Sequence, residues 1–147
     1  MTLRNRLLKL ATGLWHWLPP LIVMAAIFYV SSRTSLPQAE GEWIDALLKK
    51  LSHVAEYTLL FLLLVRAWKW TLDTWRGQNR TMASALWAAL LTTAAYAVSD
   101  EVHQAFVPRR HGKPSDVLID VLVPLLLCLL WYWRYRRLEA RNPDFAE

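Results

Sequence analysis

Ser99-Asp100-Glu101-Val102-His103-Gln104-Ala105-Phe106-Val107-Pro108-Arg109-Arg110 joins two apolar stretches, and its reading decides the fold. Before it, Ala83 to Val98 carries no charge; after it, Val117 to Trp133 is apolar apart from Asp120. Two earlier runs, Leu14 to Val30 and Val54 to Trp70, make four in a chain of 147 residues that is 55% hydrophobic. A soluble domain of this size needs one core and has no use for four separate apolar runs. Each run is at the short end of what spans a bilayer, roughly 17 residues, and one added turn makes it comfortable. In lipid the backbone must satisfy its own polar groups, so the runs are expected as helices. The sequence therefore predicts an all-α integral membrane bundle of four transmembrane helices, roughly residues 14–31, 52–70, 82–99 and 116–134. It reads as a single domain over residues 1–147. Carboxylates, a histidine and arginines beside such runs are costly unless they face a polar cavity or pair with one another.

The net charge of +5 is no nucleic-acid signal, because the basic residues cluster in the connections. The only cysteine, Cys128, lies mid-run, cannot form an internal disulfide and has no metal motif around it. It reads as a small packing residue. Arg4, Arg6 and Lys9 before an apolar stretch are the start of a secretory signal pattern. Pro19-Pro20 interrupts that stretch and no small-residue cleavage site follows Val30, so the first run is expected to stay as a membrane helix.

Basic residues set the expected orientation. Eleven of the seventeen lie in the two tails and the middle connection, from Arg4, Arg6 and Lys9 through Arg66, Lys69, Arg76 and Arg80 to the Arg134–Arg141 tail. The other two connections hold Arg33, Lys49, Lys50, Arg109, Arg110 and Lys113. The excess marks the cytoplasmic side, so both termini are expected inside a plasma or inner membrane. Trp15, Trp17, Trp68, Trp70, Trp75, Trp131 and Trp133 fall at the same set of ends, where indole rings prefer the headgroups.

The connection Ser31–Leu51 then lies outside. After Gly41, the apolar residues Trp43, Ile44, Leu47, Leu48 and Leu51 share one helical face. Two readings stay open: a short interfacial helix, or an early start to the second spanning helix near Trp43 instead of Ser52. Next come Lys50, His53, Glu56 and Tyr57, the last three on one face. The third helix runs outward and ends at Ser99-Asp100. Parity alone thus puts two clusters, far apart in sequence, at one membrane face. Asp100, His103 and Gln104 share a face if the third helix continues, and Pro108 ends it. Asp116 and Asp120 begin the fourth helix, where acids suit the helix dipole. Asp120 lies deeper and needs a partner, with Arg110 or Lys50 as candidates. Pro124 is a candidate kink below it.

These residues resemble a known family. Lys50-Leu51-Ser52-His53-Val54-Ala55-Glu56-Tyr57 is similar to the K-x-x-H-x-x-E/x-Y region of VanZ-like membrane proteins. Asp100 through Arg110 resembles their D-E-x-x-Q-x-F-x-P-x-R block, Asp116–Asp120 their D-x-x-x-N segment, and Ser31-Ser32 the residues after their first helix. The likeness runs in order over roughly residues 25–130. Arg109 stands where glycine is usual, Asp120 where asparagine is usual, and Val121-Leu122-Val123-Pro124 replaces the glycines of the fourth helix. The resemblance implies a small multi-pass membrane protein of the cell envelope. Its family name comes from a protein linked to resistance to teicoplanin, a glycopeptide antibiotic. No settled reaction comes with it.

Three functions fit the constellation. In the first, the outer face binds an envelope lipid or cell-wall precursor. Arg33, Lys50, Arg109 and Arg110 then meet phosphate or carboxylate groups, Asp100, Glu101 and Asp116 orient those bases or bind sugar and peptide groups, and Tyr57, Gln104 and Asp120 join the binding set. In the second, the chain is a hydrolase or transferase with His53, Glu56, Asp100, Glu101 and His103 as acid–base groups or ligands. No cofactor is assigned, since the spacing matches no metal signature such as H-E-x-x-H. Nucleophilic catalysis by Ser31, Ser32 or Ser99 is disfavoured further, because no nucleophile-plus-base spacing can be read across helices. In the third, the polar groups fix helix packing, with Glu56, Tyr57 and Gln104 satisfying one another. Expected partners are membrane lipids and such a precursor, with no nucleic acid; the oligomeric state is open.

Overall fold

Among the described residues four helices form: α1 (Leu3–Ser31), α2 (Glu42–Arg76), α3 (Thr81–Ala105) and α4 (Pro114–Arg141). The computed structural model describes residues 3–33, 42–76, 81–108 and 114–141, and no strand occurs among them. All four helices are long and apolar enough to cross a membrane. Each exceeds its expected span, because hydropathy marks the part that suits lipid and not the point where backbone bonding stops. The 25 residues of α3 reach about 38 Å and the 35 of α2 about 52 Å. The hydrocarbon core takes only about 30 Å of that.

The open question at the start of α2 is answered by continuity. One helix begins at Glu42 and runs without interruption through Leu51 into the spanning part, so Trp43 to Leu51 do not form a separate helix. Between Gly41 and Gly77 the sequence has no glycine or proline to interrupt it. α3 closes as Pro108 requires. Its last turns tighten through Phe106 N–H to His103 O (3.0 Å) and Val107 N–H to Gln104 O (3.1 Å). α4 passes through Pro124, which is buried.

α1 passes through Pro19 and Pro20 without a break. A proline at position 19 has no N–H for the carbonyl of Trp15, which is left unsatisfied within its own helix. Arg66 of α2 supplies the donor: its Nη2 donates to Trp15 O at 2.6 Å. Its guanidinium also lies 5.7 Å from the Trp15 ring centroid. Arg66 therefore ties α2 to the proline-weakened turn of α1. Arg66→Leu should lower the unfolding free energy in mixed micelles by about 1–2 kcal/mol, with Arg66→Lys recovering part of it. An Arg66→Leu protein as stable as wild type would show that the bond contributes nothing.

Nearby, α1 and α2 interlock through rings. His16 stacks on Trp70 (5.3 Å, 16°), Trp17 meets Trp68 edge-on (5.3 Å), and Trp17 Nε1 donates to Thr71 Oγ1 at 3.0 Å. Trp68 Nε1 donates to Thr92 Oγ1 of α3 at 3.1 Å. Gly13 faces the Trp70 ring so closely that a Cβ would come within 2.9 Å of it.

α2 and α3 form the central pair. α1 packs mainly on α2 and more lightly on α3, while α4 packs on α3 and α2. The buried stripe of α2 is Tyr57, Leu60, Phe61 and Leu64, spaced three and four apart. α3 answers with Leu86, Ala89, Thr93 and Ala97, whose small alanines let α2 approach closely. α4 contributes Pro124 and Cys128, with Trp131 against Phe61 (6.5 Å). The fourth-helix segment without the family's usual glycines thus still packs, through proline and cysteine. Cys128 is the buried packing residue its position suggested.

Candidate functional site

The core stripes do not stop where the apolar residues stop. On α3 the face Leu86, Ala89, Thr93, Ala97 continues at the same spacing to Asp100 and Gln104, all buried. On α4 the face Cys128, Pro124 runs back to Asp120, and on α2 the face Leu60, Tyr57 runs back to His53. Polar groups on a core-facing stripe must meet one another across helices or take up a bound ligand, since a buried polar group left unpaired is costly.

They do meet. Tyr57 Oη donates to Asp100 Oδ2 at 3.1 Å, and Gln104 Nε2 donates to the same oxygen at 2.9 Å. Tyr57, Gln104 and Asp100 were expected near one another, but Glu56 was expected to complete a set with Tyr57 and Gln104. The structure instead makes Asp100 the shared acceptor, because it is one turn from Gln104 on α3, facing Tyr57. Glu56 is half-buried beside this set. Asp100 is 3% exposed, and its second oxygen, Oδ1, is buried without a hydrogen-bond partner among the described residues.

His53 Nδ1 lies 3.4 Å from Asp120 Oδ2, and Asp120 is 2% exposed. Of the two candidate partners of Asp120, Lys50 is not the one the structure places there. Lys50 is on an exposed part of α2, one turn further out, while His53 lies level with the carboxylate. Arg109 and Arg110 lie outside the described residues. His53 is also tilted toward the Tyr57 ring, 6.4 Å between centroids.

A third connection reaches α1. Ser32 Oγ lies 3.0 Å from His103 Nε2 and 2.7 Å from Phe28 O. The His103 ring stacks on Phe28 at 4.4 Å and 28°. Tyr96, one turn below Asp100, donates its hydroxyl to Met24 O at 2.5 Å and is 6.3 Å from the Tyr57 ring. Tyr96 and Phe28 were not singled out from sequence. The i−4 relation of Tyr96 to Asp100 was the available signal.

The remaining candidates lie around this centre. Glu101 is buried, and Ser31 is buried at the end of α1. Asp116 is half-buried and accepts from Ser115 Oγ at 3.3 Å. Arg33 and Lys50 are exposed, with the Arg33 guanidinium 5.1 Å from the Tyr29 ring centroid. Ser99 is exposed and donates to Tyr96 O at 2.9 Å. Among the described residues no three His, Cys, Asp or Glu side chains group as metal ligands do.

Fold and site together define the class: a multi-pass membrane protein of four apolar helices whose core stripes turn ionisable at one end. A family model described as VanZ/LLP1 matches residues 8–136, a stretch that includes part of every helix, and the chain belongs to that family. No curated protein and no solved structure gives a significant match.

Proposed function

We propose that the ionisable end faces away from the cytoplasm and binds the headgroup of an envelope amphiphile, a membrane lipid or a lipid-linked cell-wall precursor. The observation that carries this reading is Asp100 Oδ1, a buried carboxylate oxygen without a partner among the described residues. A buried acceptor left unmade costs about 1–3 kcal/mol. A hydroxyl, amide or ammonium donor on a sugar, peptide or lipid headgroup would recover that cost. Arg33 and Lys50, exposed at the same end, suit the phosphate of such a headgroup. The skew of basic residues toward the opposite end supports the orientation.

Native mass spectrometry of protein purified in mild detergent tests the binding. The expected spectrum carries a retained amphiphile on wild type and loses it on Asp100→Asn. A wild-type protein that flies only as bare polypeptide would overturn the reading. Orientation is read separately by thiol labelling in intact cells: a cysteine at Ser115 should label from outside and one at Thr74 should not. A cellular role in tolerance to teicoplanin-type glycopeptides belongs to the same proposal. It expects that a strain carrying Asp100→Asn is as sensitive as one lacking the protein.

A further inference from the structure

We infer that Ser32 and His103 form a nucleophile–base pair that cleaves a carboxylic ester of a membrane amphiphile. The inference rests on the proposed binding of such an amphiphile at this end. The two residues are 71 positions apart in sequence, yet Ser32 Oγ and His103 Nε2 are 3.0 Å apart, within the range that proton transfer needs. Both side chains are half-buried. The imidazole is held flat by Phe28, the residue one turn before Ser32, so ring and hydroxyl are oriented by the same helix end. Two acceptors compete for the hydroxyl proton, Phe28 O at 2.7 Å and Nε2 at 3.0 Å. With the ring proton on Nδ1, Nε2 is the base.

Location selects the substrate. Ser32 directly follows α1, where the apolar helix reaches the interface, beside the exposed Phe28, Tyr29 and Val30. In a bilayer the ester carbonyls of lipids lie below the phosphates and above the chains, the level where an apolar spanning helix ends.

In the step, Ser32 Oγ forms a bond to the ester carbonyl carbon while its proton passes to His103 Nε2. The carbon–oxygen ester bond breaks and Nε2 returns the proton to the departing alkoxide, which leaves as an alcohol. Water then attacks acyl-Ser32, giving its proton to Nε2, and the carboxylic acid leaves as the proton returns to Oγ.

A fluorophosphonate probe on the full-length protein in phosphatidylglycerol nanodiscs tests the pair. The expected result is one adduct, mapped by peptide mass spectrometry to Ser32 and absent from Ser32→Ala. His103→Gln keeps a polar side chain of similar reach beside Ser32 but no base, and labelling should slow at least tenfold. Absence of an adduct on folded wild type, an adduct on another serine, or undiminished labelling of His103→Gln would overturn the inference. A wild type that retains an amphiphile yet takes no probe sinks the ester chemistry alone. Labelling at Ser32 without any retained amphiphile sinks the binding proposal alone.

Discussion

Asp100→Ala should lower the unfolding free energy of the detergent-solubilised protein by about 2–4 kcal/mol, whereas Asp100→Asn should leave most of the stability intact. The alanine removes one oxygen that serves two buried donors, Tyr57 Oη and Gln104 Nε2. Each donor left without an acceptor costs about 1–3 kcal/mol, and the lower half of that range suits a membrane bundle, where the reference state also offers partners. Relief of a buried carboxylate offsets part of the loss. Asparagine keeps an acceptor oxygen of the same reach but cannot carry the charge. The pair of variants therefore separates packing from recognition. If Asp100 only fixes α2 against α3, Asp100→Asn should behave as wild type in every assay. If it receives a ligand donor, Asp100→Asn should fold and yet lose the amphiphile. Titration with a denaturing detergent, followed by tryptophan fluorescence, measures the first quantity. An Asp100→Ala protein as stable as wild type would mean the shared-acceptor arrangement contributes nothing.

The second large effect is expected at His53 and Asp120, and it should be non-additive. His53→Leu removes the nitrogen 3.4 Å from a carboxylate that is 2% exposed, leaving Asp120 without its α2 partner. Breaking a buried pair from one side costs about 3–5 kcal/mol, and the long separation here points to the low end. Replacing both, His53→Leu with Asp120→Leu, removes the stranded charge along with the pair. The double variant should recover most of the loss and can match wild type. Equal losses in the single and double variants would show that the two side chains do not act as a pair.

Several features were legible because one variable decides each of them. Four apolar runs in a short chain leave helices as the form a membrane accepts, and parity then brings residues near 53, 100 and 120 to one end. The blocks at Lys50–Tyr57, Asp100–Arg110 and Asp116–Asp120 carried the family resemblance, which the match over residues 8–136 bears out. Helix ends were less legible. Leu47, Leu48 and Leu51 fit an interfacial helix and a spanning one equally, and only the unbroken run from Glu42 to Arg76 chose between them.

What the sequence by itself determined is the set of helices and the end of the bundle where the ionisable residues gather, since hydropathy and helical period act locally. What only the tertiary structure decided is who pairs with whom. Asp100, not Glu56, became the shared acceptor; His53, not Lys50, took Asp120; Ser32 met His103 across 71 residues. Such pairings depend on the rotation of each helix about its axis and its depth beside its neighbours. Packing sets both, through alanines at Ala89 and Ala97, the Trp70 ring against Gly13 and the Arg66 bond to the carbonyl above Pro19. A turn of rotation or one helical rise changes every partner at the end of the bundle without altering a single hydropathy value.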